Sequence, residues 1–207
     1  MDYLRDPKAI YARSFEMIRA ETDLSRLPPT ARDIAVRVIH ACGMTDIAGD
    51  LRITPNFAKT AQAALRAGKP LIVDSEMVRH GIIARQLPRG VEIICTLNDP
   101  RVRDIGVARQ TTRSAAAVEL WAPQLAGAVV VIGNAPTALF ALLEAIDAGA
   151  GKPAALVGFP VGFVGALESK DELIRNPRGI PYATLPGRRG GSAMAAAVIN
   201  ALSGDNA

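Results

Sequence analysis

The stretch Ala128–Phe140, AVVVIGNAPTALF, combines an apolar run with an abrupt turn and the start of a helical pattern. Residues 129–132 are apolar on both faces, which is typical of a strand covered by helices on either side. Pro136 suits a first helical turn, and the loop before it opens onto unpaired helix N–H groups. In open α/β sheets anionic ligands bind at such places. The pattern predicts a central parallel strand, whose loop either binds a ligand or is a tight turn without one.

Four more apolar segments predict strands that alternate with helices along the chain: Leu71–Val73, Val91–Thr96, Ala154–Gly158 and Pro181–Leu185. With the central strand they make five parallel strands between two helical layers. The expected fold class is therefore α/β, a three-layer α/β/α sandwich in a single domain over 1–207. Two N-terminal helices, within about 6–43, are expected to pack on this core.

The composition predicts one large aliphatic core. The chain has 207 residues, of which 49% are hydrophobic and only 4% aromatic. No stretch approaches the roughly 20 apolar residues of a membrane span, and the amino end is charged where a signal peptide would be apolar. We expect a soluble cytoplasmic protein with no membrane partner. Cys42 and Cys95 are too isolated for a disulfide framework or a cysteine-rich metal site, so buried thiols are expected.

The basic residues are dominated by arginine, which supplies 19 of 24. Guanidinium groups hold carboxylates and phosphates at two points, so this excess fits an anionic partner. Genomic base composition explains it equally well. Nucleic acid is not expected, because the arginines are scattered and aromatic residues are few.

Polar residues follow several of the predicted strands. Asp74-Ser75-Glu76 could bind a metal or transfer protons, but the lack of a third ligand makes a metal site improbable, and Ser75 or Asp74 more simply caps the helix Met77–Gly81. The run Thr111–Ser114 predicts a capped helix start suited to holding a carboxylate. Gly187–Ser192 places two guanidinium groups before another helix, and the glycine-rich Pro160–Gly165 would allow close approach of a large flat ligand.

His40 lies at the end of the second helix, three residues after Arg37, so the two project one turn apart. It is either a helix-end charge partner or a proton donor near neutral pH. Arg13 and Ser14 on the first helix can be ordinary surface residues. The chain has no GxGxxG, Walker GK[ST] or GxSxG pattern, so the usual nucleotide and hydrolase signatures are absent.

Eight segments together resemble the precorrin-8X methylmutases of cobalamin biosynthesis. They span nearly the whole chain in order: YARSF (11–15), VRVIHACG (36–43), SEMVRHGI (75–82), ICTLNDPR (94–101), TRSAAA (112–117), IGNAPTALF (132–140), GFPVGFVGALESK (158–170) and GRRGGSAMAAA (187–197).

The resemblance implies an isomerase that moves a methyl group of a corrin-type ring from carbon eleven to carbon twelve, giving hydrogenobyrinate or its cobalt counterpart. It also implies a flavodoxin-like sheet, no cofactor, and a homodimer with substrate sites at the subunit boundary. The histidine of the family's HACG motif, here His40, is the expected general acid. The expected substrate contacts are Ser14 and Arg37, with Arg13 beside them.

A sigmatropic methyl shift requires that a polycarboxylate tetrapyrrole be held and a ring nitrogen protonated. Helix starts at Arg113, Ser114, Asn134 and Thr137, together with the helix start at Arg188–Ser192, are therefore expected to meet its acidic arms. Two rival interpretations stay open: a non-catalytic flavodoxin-like module that binds a corrinoid or flavin, and an acid–base isomerase or lyase that uses His40 with Glu76 or Glu168.

Overall fold

The fold is built on one sheet with helices on both faces. The computed structural model describes residue 1 and residues 3–204. The predicted domain bounds 1–207 therefore include residues 2 and 205–207, which lie outside the described part. Within that part the helices are α1 (Pro7–Glu21), α2 (Pro29–Cys42), α3 (Phe57–Arg66), α4 (Glu76–Gly81), α5 (Arg101–Arg109), α6 (Arg113–Glu119), α7 (Ala122–Leu125), α8 (Pro136–Asp147), α9 (Ala166–Arg175) and α10 (Ser192–Ser203). The strands are β1 (Arg52–Ile53), β2 (Leu71–Val73), β3 (Ile93–Ile94), β4 (Val129–Ile132), β5 (Ala155–Gly158) and β6 (Tyr182–Thr184).

The sheet has the order β1-β6-β5-β4-β2-β3, and its last five strands are parallel. The expected α/β class is confirmed, but the expected number of five strands is wrong for the described residues. The added strand, β1, pairs antiparallel with β6 at the sheet edge. It is only two residues long, so it carries too little alternation for a sequence pattern to reveal it.

The central strand β4 is buried on both faces, as its apolar run predicted. Val129 and Val131 lie in one apolar cluster with residues of α2, α3 and α10, whereas Val130 and Ile132 lie in another with residues of α8. Alternate side chains of the strand thus serve two helical layers. Among the described residues, no helix is both long and apolar enough to cross a membrane.

The N-terminal helices pack on this core through α2. Ile34, Val38 and Ile39 recur at helical spacing, are fully buried and share the first cluster with α10. Ile18 of α1 belongs to the same cluster. This packing places the end of α2 beside α1.

Candidate active site

The end of helix α2 brings His40 against helix α1. Gly43 follows the helix with φ 69°, and its N–H donates to the carbonyl of Ile39 at 2.8 Å, which closes the last turn. A left-handed conformation of this kind favours glycine. Asp6 caps the start of α1 by accepting the N–H of Ala9 at 2.7 Å. α2 is thereby closed next to His40, and α1, which carries Ser14 in its middle, is capped at its start.

His40 is half-buried and held by a hydroxyl and two aromatic rings. Its Nδ1 lies 2.8 Å from Oγ of Ser14, a hydrogen-bond distance. The ring centroid of Tyr11 lies 5.2 Å from that of His40, and Phe15 meets it nearly edge-on at 5.4 Å. Ser14 therefore occupies one ring nitrogen and the aromatic rings restrict rotation of the imidazole. Nε2 is the nitrogen left for a ligand.

The environment of His40 lowers its pKa below 6.5. Burial is the main cause, because it disfavours the imidazolium, and the nearby Arg37 guanidinium adds like-charge repulsion. The sequence had left open whether His40 is a helix-end charge partner or a proton donor near neutral pH. A lowered pKa makes the protonated ring a stronger acid, and an arriving polyanion would favour its protonation.

The two arginines predicted near His40 differ in their surroundings. The Arg37 guanidinium lies 5.8 Å from the Phe15 ring centroid, on the side of α2 that carries His40. Arg13, in contrast, pairs with Glu16 at 2.9 Å, and both side chains are exposed. Exposed pairs of this kind contribute little to stability, so Arg13 is free to exchange partners.

The other predicted contacts lie at the carboxyl end of β4 and at the start of α6. Thr112 caps α6 by accepting the N–H of Ala115 at 3.2 Å, and its Oγ1 also lies 2.8 Å from Oγ1 of Thr137. This bond ties the start of α6 to α8, with Arg113 and Ser114 in the first turn of α6. Within the described chain no hydrogen bond, ion pair or ring contact joins this group to Ser14, Arg37 or His40.

The amides at the start of α8 are already occupied by the protein itself. The buried carboxylate of Asp74 accepts N–H groups from Gly133, Asn134 and Ala135 at 2.9 to 3.0 Å. These three backbone groups are therefore already paired, whereas the Asn134 side chain is exposed. The substrate contacts expected at Asn134 and Thr137 stay predictions. Ser75, not Asp74, caps α4.

The family model described as precorrin-8X methylmutase matches residues 9–204 of this chain. The chain belongs to the precorrin-8X methylmutase family. Two relatives named precorrin-8X methylmutase are 55% and 54% identical: one from Sinorhizobium sp covers 97% of this chain and 96% of its own, and one from Pseudomonas aeruginosa covers 98% and 97%. A Salmonella typhimurium relative named cobalt-precorrin-8 methylmutase is 37% identical, and the match covers 98% of this chain and 97% of the relative.

Solved structures agree with this family assignment. The precorrin-8X methylmutase from Thermus thermophilus has a TM-score of 0.84 and 35% identity, covering 94% of each chain. A precorrin-8X methylmutase related protein has the same TM-score at 36% identity, covering 92% of this chain and 98% of its own. Methylmutases are isomerases that act as intramolecular transferases, so this chain is an enzyme of that class in cobalamin biosynthesis.

Two loops of this methylmutase project at the carboxyl edge of the sheet, Val161–Val164 and Gly187–Gly191. Phe163 and Val164 are 82% and 90% exposed, which is unusual for large apolar residues. The Arg188 guanidinium lies 5.1 Å from the centroid of the Phe163 ring. The edge therefore combines apolar surface with a cation.

Two cavities of the methylmutase lie away from His40. One, of about 670 Å³, lies between α6 and α8 and is lined by Thr137, Phe140 and Arg109 among others. The second, of about 350 Å³, lies beside β1, near Arg26 and Arg52. Sequence reasoning did not predict the contacts of three residues: Asp74 with the loop amides after β4, Arg189 with Asp46 and Asp50, and the buried Lys170 with a backbone carbonyl. Only Asp74 carried a signal, since an acid directly after a buried strand is well placed to bind the next loop.

Proposed function

We propose that the enzyme converts precorrin-8X to hydrogenobyrinate by moving a methyl group from carbon eleven to carbon twelve, in a 1,5-sigmatropic shift assisted by His40. The main observation that supports this proposal is the 2.8 Å contact between Ser14 Oγ and His40 Nδ1, which orients a half-buried imidazole beside an arginine. Protonation of a ring nitrogen through Nε2 would draw electron density from the migrating bond.

Substrate binding prepares the acid in this proposal. Free His40 has a lowered pKa and is mostly neutral at pH 7. The acidic arms of the macrocycle, held by Arg37 and by exposed Arg13, would offset the repulsion that Arg37 exerts on the imidazolium. Arg113, Ser114, Asn134 and Thr137 are the proposed contacts for further arms. The proton would thus be taken up when the substrate is in place.

The proposed substrate is the cobalt-free ring. Relatives named precorrin-8X methylmutase share 54% and 55% identity with this chain, whereas those named cobalt-precorrin-8 methylmutase share 32% to 37%. All of them align over at least 82% of this chain, so the identities compare largely the same residues. The proposed reaction needs no cofactor.

A homodimer is proposed to complete the site. Ile10, Tyr11 and Met17 of α1 are exposed large apolar residues on the helix that carries Ser14. A second copy placed there would exclude water from His40, which protects a proton donor from solvent. Sedimentation across a dilution series, with activity measured in parallel, tests this arrangement.

The proposal also includes a single domain, a flavodoxin-like core and a cytoplasmic location. The order of the five parallel strands supports the flavodoxin-like description of the core.

The decisive experiment mixes the purified enzyme with precorrin-8X or cobalt-precorrin-8 and follows the visible spectrum. Growth of the hydrogenobyrinate spectrum, with a much slower reaction of the cobalt substrate, is expected. The His40→Ala variant should bind the ring and convert it much more slowly. Binding without turnover by the unaltered enzyme would instead favour the non-catalytic corrinoid-binding module.

A further inference from the structure

Lys170 is a fully buried lysine on α9, with 0% of its surface exposed. Its Nζ donates to the carbonyl oxygen of Arg189 at 2.7 Å. No carboxylate of the described residues lies within ion-pair distance of it. Burial of a lysine without an ionic partner is rare and costs free energy. The same burial lowers the pKa of Lys170 to about 8.

The carbonyl that Lys170 holds belongs to the loop Gly187–Gly191. The N–H of Gly191 donates to the carbonyl of Phe159 at 2.8 Å. At Gly190 a Cβ atom would come within 2.6 Å of the carbonyl oxygen of Pro160, so only glycine allows this approach. The loop backbone therefore packs closely against the end of β5, and the hydrogen bond from Lys170 holds the loop there.

The Arg189 side chain links the same loop to the turn that follows α2. Its guanidinium pairs with Asp46 and with Asp50, the latter at 3.0 Å. These two acids lie in the turn Thr45–Gly49 and directly after it. Two sets of contacts thus hold the loop at Arg189. Lys170 binds its backbone carbonyl, and the acidic pair binds its side chain.

Arg188, the neighbouring residue, has an exposed side chain. Its guanidinium lies over the Phe163 ring, and its carbonyl accepts the N–H of Gly162 at 3.2 Å. A cation above an exposed aromatic ring matches a flat apolar macrocycle with acidic arms. Its position depends on the backbone that Lys170 holds.

We propose that Lys170 is a positioning residue for substrate binding: its hydrogen bond to the Arg189 carbonyl sets the loop so that the Arg188 guanidinium meets an acidic arm of the macrocycle. This inference rests on the proposed function. Lys170 does not touch the ring itself, since it is fully buried.

The test is a double-mutant cycle of Lys170→Met and Arg188→Ala, read by spectral titration with hydrogenobyrinate. Methionine has a similar length and no donor. Each single change should weaken binding about tenfold, the size of one charge-assisted hydrogen bond. The double variant should bind no more weakly than Arg188→Ala, because Lys170 acts only through Arg188. Lys152→Met is the matched control: its Nζ also donates to a backbone carbonyl, that of Arg178 at 2.9 Å, on the exposed surface.

Additive losses would overturn the inference, as would full affinity in either single variant. If Lys170→Met does not fold, the variant Asp46→Asn with Asp50→Asn takes its place in the cycle, because it releases the same loop from Arg189. This variant combined with Arg188→Ala should again bind no more weakly than Arg188→Ala alone. Failure of the unaltered enzyme to bind or convert the ring would remove the proposed function and this inference together. Normal turnover combined with additive losses would remove only the inference.

Discussion

Oγ of Ser14 and Nδ1 of His40 lie 2.8 Å apart, across the contact between helices α1 and α2. When the hydroxyl donates to Nδ1, the neutral ring carries its proton on Nε2. One hydrogen bond between two helices thus selects the nitrogen that faces a ligand. Because the two residues are 26 positions apart in sequence, this relationship depends on how α1 packs on α2.

Replacement of His40 by alanine should lower kcat by about 100-fold or more, the usual contribution of general acid catalysis. Affinity for hydrogenobyrinate should change little, because the arginines hold the acidic arms. Turnover of precorrin-8X and a product titration measure the two effects. His80→Ala is the control, since that side chain is 82% exposed and contacts Glu76. Equal turnover by His40→Ala and the unaltered enzyme would exclude His40 from the mechanism.

Replacement of Ser14 by alanine should remove the hydrogen bond that orients the His40 ring and selects the tautomer of its neutral form. The lost orientation should lower kcat about tenfold. The ¹⁵N chemical shifts of the imidazole report the tautomer directly, and the chain has only two histidines to assign. We expect one dominant tautomer in the unaltered enzyme and a mixture in the variant. Ser25→Ala, an exposed serine, should leave the His40 spectrum unchanged. An unaltered ¹⁵N spectrum in Ser14→Ala would contradict this role.

The pH dependence follows from the lowered pKa of His40. Only the protonated ring donates, and the protonated fraction of the free enzyme falls as pH rises through that pKa. The value of kcat/KM should therefore decline with rising pH through a midpoint below 6.5. The midpoint for kcat should lie higher, because the bound polyanion favours the imidazolium. Equal pH midpoints for kcat/KM and kcat would show that bound substrate does not raise the pKa of His40.

Arg37 should affect both this midpoint and substrate affinity. Arg37→Ala removes the like charge that lowers the pKa of His40, so the kcat/KM midpoint should move to higher pH. It should also weaken binding of the carboxylated ring. Arg37→Lys retains the charge but not the two-point geometry, so it should keep the midpoint and still bind more weakly. Unchanged affinity in both variants would remove Arg37 from the substrate contacts.

The sequence predicted those features that depend on local pattern. The strand β4 and the end of α2 at Gly43 followed from an apolar run and a terminal glycine. The two-residue β1 could not be predicted, because its pairing with Thr184 involves residues more than 100 positions away. Nor could the burial of Lys170, whose partner on the Gly187–Gly191 loop is identified only when α9 is packed.

Asp74 shows why the candidate site was predicted only in part. A helix start after a buried strand is a general anion site, so the helix start at Asn134 was expected to meet an acidic arm of the substrate. The pattern does not tell whether the anion is external or part of the chain. Here Asp74, which directly follows β2, supplies the anion, because β2 and β4 are adjacent and parallel. The substrate contact at this loop is thereby restricted to side chains such as Asn134.

This internal anion makes a prediction for stability. Asp74→Asn keeps the size of the side chain but replaces one acceptor oxygen with an NH₂ group, which would face backbone N–H donors. The buried amides would then lack part of their hydrogen bonding, and the free energy of unfolding should fall by about 2 kcal/mol. Denaturant unfolding measures the loss. Asp33→Asn, which removes only an exposed pair with Arg19, should change it by less than about 0.5 kcal/mol. Equal stability of Asp74→Asn and the unaltered enzyme would show that these amides do not require the carboxylate, and the loop would again be open to a substrate anion.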